Sequence, residues 1–436
     1  MDVHLSKRHG RARARRYSEV GMPYTIEGIY DEGKLRFPIS TWFLHSPIVK
    51  NVPSNVLPRF TGFLNLPKGY KRNGISKVED IAVNTLIIGC GSSGISLLEE
   101  NANAMLVCDK PFGELPYDDS PDPHDERILD KLKTIWKEKL NKVINGRYIG
   151  LFDEGVVIVT EESFIIVKPE KTIFAVGGRH LPPIMEGNDL PGFVSYDLFL
   201  EKYKNTAKDV VIFGSTNDAL RAALNVRGRA LVLYKEWLFS KFYIEKVEER
   251  GVELIKVKDE ARLRGKKKVS SIEFDGRELK VNLAVFAVIR QPRIEATANF
   301  GCKYELKNGG IYVPKDCNAV GGAIGISEPH LSYLSGKENV QDLPEVKELE
   351  PQLFNNIEGI YFYSRGGYIC ECEDVTFGDV SKAITRGYNT VESIKRVTGA
   401  CTGECQGRQC SFLLGNLVKD QNLITFRSPL LPVVST

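Results

Sequence analysis

The chain has 436 residues, 42% hydrophobic and 26% charged, and its 59 lysines and arginines against 56 acids leave a net charge of only +3. That length holds about three domains at ~150 residues each, the composition excludes wholesale disorder, and the charge balance removes nucleic acid as the default partner. No run approaches the ~18 apolar residues of a membrane-spanning helix, and the N-terminus lacks the apolar core of a secretory signal. The first sixteen residues carry Lys7, Arg8, Arg11, Arg13, Arg15 and Arg16. This basic tail reads as solvated, the alternative being contact with an acidic partner or peripheral contact with a membrane surface. Up to about residue 80 the pattern stays irregular, with Trp42-Phe43 and prolines 47, 53, 58 and 67. Residues 1–80 are therefore expected to be an extension laid over another surface, suited to subunit contact.

Near residue 81 the pattern turns to alternating strand and helix. Residues 85–88 read as a buried strand, followed by Gly89-Cys90-Gly91-Ser92-Ser93-Gly94 and a short helix over 95–102. The next strand covers 105–108 and ends at Asp109, and a helix-periodic stretch follows over 127–143. Strands are expected at 155–159, 163–167 and 172–176. A second strand-turn-helix unit starts at 210–214, with further strands at 230–234 and 283–289. Two such units about 125 residues apart predict an α/β chain with two nucleotide-binding-type domains.

The first glycine box sits where a G-x-G-x-x-G motif must sit to mean anything, after a strand and opening a helix. Gly89 would allow the tight turn, Gly91 the approach of a pyrophosphate, and Gly94 close helix packing. Ser92 and Ser93 complete the candidate phosphate loop at the helix N-terminus, where free N–H groups favour anions. Asp109, 20 residues beyond Gly89, is placed for ribose hydroxyls, with Lys110 beside it. The short helix favours the alternative, a relic turn without ligand. In the second box, Gly214-Ser215-Thr216-Asn217-Asp218-Ala219, Thr216 stands where the middle glycine belongs and puts a Cβ in the path of a pyrophosphate. Lys235 could meet a phosphate, so a second nucleotide (ATP or NAD(P)) and an empty structural layer both remain open.

Five of the nine cysteines fall between Cys370 and Cys410. A lopsided, odd count does not form a disulfide framework and points instead to a metal site in a reducing, cytoplasmic compartment. Cys370-x-Cys372 and Cys405-x4-Cys410 are separated by 32 residues that read as two short helices, over 377–385 and 390–397, with Gly387 between them. Such a hairpin could bring the pairs together as four thiolates for a [2Fe–2S] cluster or for one tetrahedral zinc. Cys401 is a fifth candidate. Glu371, Glu373, Asp374 and Glu404 flank these positions, which predicts a low reduction potential. Cys90, Cys302 and Cys317 read as small packing residues, and His180 as a polar loop residue or a cofactor contact.

At these residues the chain resembles a known family. Tyr368-Ile369-Cys370-Glu371-Cys372-Glu373-Asp374-Val375-Thr376 and Lys395-Arg396-Val397-Thr398 resemble the bacterioferritin-associated-ferredoxin (BFD-like) [2Fe–2S] module. With Cys405-Gln406-Gly407-Arg408-Gln409-Cys410 they are similar to the form carried by α subunits of dye-linked L-proline dehydrogenase and hydrogen cyanide synthase. Heterotetrameric sarcosine oxidase is a more distant relative, whose glycine-rich start residues 1–80 lack. Phe174-Ala175-Val176-Gly177-Gly178-Arg179 resembles the strand turn beside the flavin in that family, with Val176 where Thr is usual, and Gly321-Gly322 its last flavin-side loop.

The resemblance implies a two-dinucleotide-binding-domain (Rossmann-like) flavoprotein with a small α-helical [2Fe–2S] module. Its FAD domain would cover 81–205 and 286–345, with a degenerate NAD-type domain inserted over 206–285. The BFD-like module would cover 366–415, and a tail over 416–436 would pack on a partner. FAD would meet Gly89, Gly91, Ser92, Ser93, Gly94, Asp109, Lys110, Val176, Gly177, Gly178 and Gly322. A second nucleotide would meet Gly214, Ser215, Thr216, Asn217 and Lys235, and the cluster Cys370, Cys372, Cys405 and Cys410. The family also implies a flavoprotein β subunit holding the amine or amino-acid site, further small subunits, and room for an FMN at a subunit interface. This chain would then pass electrons through FAD and [2Fe–2S] to an acceptor. The alternatives are a stand-alone NAD(P)H-dependent flavin oxidoreductase and a non-catalytic scaffold keeping only the cluster.

Overall fold

The computed structural model describes residues 3–5, 12–14 and 77–430, apart from 161–162, 267, 308–309, 338–359 and 404. Near the N-terminus β1 (Val3–Leu5) and β2 (Ala12–Ala14) pair antiparallel; most of the expected subunit-contact extension lies outside the described residues. No helix among the described residues is long and apolar enough to cross a membrane.

The first sheet has six strands. β3 (Lys77–Ile88) leads into α1 (Ser92–Glu100) and β4 (Ala104–Cys108). Then come α2 (Pro123–Glu138), β5 (Val143–Asn145), β6 (Arg147–Phe152), β7 (Gly155–Val159) and β8 (Ser163–Phe174). Their order is β5-β4-β3-β8-β7-β6, with β5, β4, β3 and β8 parallel and β7 and β6 antiparallel. Alternation sorts the side chains: Leu86 and Ile88 face one core, while Ile87 faces a second core with Ile95 and Leu98 of α1. The two strands expected at 163–167 and 172–176 are one. Pro169-Glu170-Lys171 looks like a break, yet it stays in register with β3, a largely exposed stretch between buried Val167 and Ile173.

β9 (Gly178–His180) and β10 (Phe193–Ser195) lead to the second sheet. There β11 (Asp209–Phe213), α3 (Asn217–Leu224), β12 (Arg229–Tyr234), α4 (Lys241–Glu249) and β13 (Glu253–Lys256) follow in turn. A meander of β14 (Ala261–Arg264), β15 (Ser271–Phe274) and β16 (Arg277–Lys280) precedes β17 (Leu283–Phe286). The all-parallel order β10-β17-β11-β12-β13 draws in residues 193–195, ahead of the segment expected over 206–285. β18 (Arg290–Pro292) returns to pair antiparallel with β9, which ties the two sheets together. α5 (Ile294–Ala298), β19 (Tyr304–Lys307), β20 (Ile311–Pro314) and α6 (Pro329–Ser335) complete this part.

The C-terminal module opens with β21 (Tyr368–Cys370) and β22 (Val375–Thr376). α7 (Phe377–Thr385) and α8 (Val391–Thr398) each start on a capping box, Thr376 with Asp379 and Thr390 with Ser393. α9 (Cys410–Val418) follows. Val380, Ala383, Val391 and Ile394 close the hairpin and join the core that runs on into both sheets.

One expectation is corrected. Cys90 is not a lone packing thiol: it is joined to Cys108 by a disulfide within the first strand-turn-helix unit. The tail as far as Leu430 packs on this chain. Ile424, Phe426 and Leu430 are buried, Ser428 Oγ donates to the Leu151 carbonyl at 2.6 Å, and the Leu430 N–H donates to the Ile149 carbonyl at 2.6 Å.

Candidate cofactor sites

Three loops meet at the ends of β3 and β8. A Cβ on Gly89 (φ +106°) would strike the Ala175 carbonyl, and one on Gly94 the Gly89 carbonyl, so both must be glycine. A Cβ on Gly91 would meet nothing within 4 Å. The box thus separates into two crowded glycines and one facing open space, at a helix start without a side-chain cap, and this fits a pyrophosphate lying on the N-terminus of α1. The turn Val176-Gly177-Gly178 adjoins Gly89, and Gly322 comes so near that a Cβ there would lie 3.0 Å from Gly177 Cα. Asp109 and Lys110 follow β4 and are already ion-paired, with Arg147 at 2.7 Å and Glu201 at 2.7 Å.

The second box is closed by its own neighbours. Ser215 Oγ accepts the backbone N–H groups of Lys235 (3.3 Å) and Glu236 (3.2 Å), and the Ser215 carbonyl accepts from Leu238 (3.1 Å). Asn217 Oδ1 accepts from the Ser240 N–H at 2.8 Å. Lys235 Nζ donates to the Asp259 carbonyl at 3.2 Å. Asp218, in the first turn of α3, occupies the place where the helix would favour an anion. Its buried carboxylate bonds His180 (3.0 Å), Arg290 (2.6 Å) and Arg221 (3.3 Å). Against burial, Arg290 and His180 hold it well below the usual carboxylate range. His180, expected in a loop, is therefore buried in an ion network between the sheets. The network continues through Arg221 to Asp125 (3.0 Å) and Glu328. Asp125, Glu328 and His330 approach one another like a metal site, but the Arg221 guanidinium already supplies the cation. Sequence reading missed this network; the signal was Asp218, a carboxylate within the damaged box.

The distant cysteine pairs are brought together. Cys405 is hydrogen-bonded by the thiols of Cys372 and Cys410, which hold it well below the usual thiol range. Contacts with Cys370, Cys401 and Cys405 push Cys410 well above it, and the bond with Cys410 lowers Cys370. Cys410 Sγ lies 3.4 Å from Cys401 Sγ, so the fifth candidate belongs to the same group. Cys370, Cys401 and Cys410 are buried, whereas Cys372 and Cys405 are half-buried. Converging thiols that share protons in one pocket are the donor set an iron–sulfur cluster takes up as thiolates. Cys302 and Cys317, expected as independent packing residues, are half-buried and share a hydrogen bond.

The two candidate sites are connected directly. Arg179, next after the Gly177-Gly178 turn, donates from Nη1 to the Arg408 carbonyl at 2.9 Å, between Cys405 and Cys410. Its Nη2 pairs with Glu295. Arg408 is itself 4% exposed; burial lowers it to about 10, so it stays charged at neutral pH.

Residues 368–419 match the family described as "BFD-like [2Fe-2S] binding domain". The C-terminal module is a BFD-like [2Fe–2S] domain. Within it lie all five clustered cysteines. Over 42 residues, 10% of this chain, the sequence is 45% identical to hydrogen cyanide synthase subunit HcnB of Pseudomonas aeruginosa, of which the match covers 9%. Over 187 residues, 37% of this chain, it is 28% identical to an NAD(P)H sulfur oxidoreductase (CoA-dependent) of Pyrococcus furiosus, of which 42% is covered. The chain thus spans less than half the length of either curated relative. Among solved structures, L-proline dehydrogenase from P. horikoshii superposes with a TM-score of 0.63 at 23% identity, covering 84% of this chain and 81% of that one. The chain has a mixed α/β flavoprotein fold with the BFD-like domain at its C-terminal end.

Proposed function

We propose that this chain is the electron-transfer, α-type subunit of a heteromeric flavin/iron–sulfur dehydrogenase acting on amines or amino acids. A partner flavoprotein subunit would oxidise the C–N bond. FAD would lie on Gly89, Gly91, Ser92, Ser93 and Gly94, with Asp109, Lys110, Val176, Gly177, Gly178 and Gly322 around it. The cluster would be held by Cys370, Cys372, Cys405 and Cys410. When bound, FAD handles electron pairs and the [2Fe–2S] centre single electrons. The chain's own residues bind and orient these groups: the α1 N-terminus faces the phosphates, and the buried side of the cysteine group keeps water from the cluster. The observation that carries the reading is the Arg179–Arg408 link, which joins the flavin-type turn to the cysteine loop within one packed core.

A self-sufficient NAD(P)H oxidoreductase is the second reading, favoured by the similarity to the P. furiosus enzyme. The stitched second box argues against it. The test is the visible spectrum of the purified chain before and after dithionite, with EPR on the reduced sample. Flavin bands and a rhombic signal from the reduced cluster are expected, with no rapid flavin bleaching by NADH. A colourless, zinc-containing protein would sink the proposal, and fast bleaching would move it to the second reading.

A further inference from the structure

Two parts of the candidate flavin site come from different stretches of chain, and one covalent bond joins them. Cys90 lies inside the glycine box, between crowded Gly89 and open-sided Gly91. Cys108 is the last residue of β4, directly before Asp109. The disulfide between them thus ties the loop facing the phosphates to the stretch that carries the ribose-side carboxylate. Two backbone hydrogen bonds reinforce it, from the Gly89 N–H to the Val107 carbonyl (3.1 Å) and from the Phe112 N–H to the Cys90 carbonyl (2.9 Å). On its other flank the loop rests on the end of β8, where a Cβ on Gly89 would strike the Ala175 carbonyl. Packing therefore fixes one side of the loop and the disulfide the other. Cys90 and Cys108 are each 3% exposed and share a core with Ile87, Ile95, Leu98 and Leu106. The open face beside them is at Gly91, where a pyrophosphate would lie.

Resting on the cofactor placement proposed above, we propose that the Cys90–Cys108 bond is a redox-sensitive latch on the flavin site. Closed, it holds the phosphate loop in the shape that binds flavin; opened by a dithiol, it weakens that hold. Opening breaks the S–S bond with two electrons and two protons from the dithiol, which closes to its own disulfide and leaves two protein thiols. A loop that must be ordered before it binds loses affinity in proportion to the time it spends disordered. A cross-link that orders it beforehand restores that affinity. Linkage makes the effect mutual: bound flavin favours the closed bond by the same factor. It also covers the face at Gly91, so reduction of the flavin-loaded chain is slower.

The test is a titration of the flavin-free full chain with FAD, followed by flavin fluorescence, with free thiols counted by alkylation and mass spectrometry. Opening the bond with dithiothreitol is expected to weaken FAD binding about tenfold, which by linkage lowers the midpoint of the disulfide by about 30 mV when flavin is bound. Cys108→Ala should bind FAD as weakly as the reduced wild type and no longer respond to dithiothreitol. A chain carrying both Cys302→Ser and Cys317→Ser should match the wild type in each state; loss of the response there overturns the assignment to Cys90 and Cys108. If Cys108→Ala fails to fold, the reduced wild type carries the test alone. Three results overturn the inference and leave the electron-transfer reading standing: equal FAD affinity in the two thiol states, a bond that resists dithiothreitol in the flavin-free chain, or no bond in a chain purified without reductant. A chain that takes up no FAD in either state overturns both.

Discussion

Cys401 and Cys410 lie against each other, yet their backbones place them differently. Cys410 opens α9 and touches Cys370 and Cys405, whereas Cys401 follows the Gly399 helix cap and meets the group with its thiol at Cys410 and with its backbone at Cys370. Cys410→Ser is therefore expected to abolish iron binding, and Cys401→Ser to retain most of it, as counted by iron per chain; the reverse result would exchange their roles. Spacing alone could not separate the two, because either could close a loop with Cys405. The damaged second box was readable at Thr216, but its replacement by an ion network was not, since His180, Arg290 and Glu328 come from remote segments. Asp218 is 2% exposed. Asp218→Asn would leave Arg290 and Arg221 short of a charge partner and should cost about 3–5 kcal/mol in denaturant unfolding. Because its folded pKa is depressed, Asp218 contributes its full stabilisation above the unfolded value of about 4 and loses it as pH falls below that towards the folded value. A variant as stable as the wild type at pH 7 would show that the network is dispensable.

Among the elements, those announced by local chemistry were the readable ones. The helix expected over 377–385 matches Phe377–Thr385, because Thr376 and Asp379 form the capping box and Gly387 (φ +91°) ends the connection. The helix expected over 127–143 instead runs Pro123–Glu138, as Asp122 caps it and Pro123 starts it. Strands were misread where polar residues interrupt a run, as in β8, since an exposed stretch within a strand cannot be told from a break without its partner. The Cys90–Cys108 bond was hidden for the same reason: it links the loop after β3 to the end of β4, neighbours only once those strands pair. It spans 18 residues, and in the loop-entropy account that closure contributes about 3 kcal/mol. Cys108→Ala should therefore lower the unfolding free energy by about that amount, and so should reduction of the wild type. Identical denaturation curves with and without reductant would show that the bond is not formed in solution.

At the scale of the whole molecule, the sequence was enough for two α/β units and a cysteine module but not for their assembly. The contacts that assemble them join residues far apart, such as Arg179 with Arg408, 229 positions on. Asn188 makes a similar clasp, its Nδ2 donating to the Tyr368 carbonyl at 2.8 Å and its Oδ1 accepting from the Tyr368 N–H at 2.9 Å. Such pairs leave no periodic trace, so the flavin-type turn and the cysteine loop could be recognised separately but not seen to touch. The returning tail has a consequence in time. β6 is the outer strand of the first sheet, and the hydroxyl that caps Leu151 belongs to Ser428, 277 residues later. At about 5–20 residues per second of synthesis, that partner emerges roughly 15–55 s after the strand it covers. During that interval the nascent sheet presents an open edge to other chains, an exposure that belongs to synthesis and not to the finished fold.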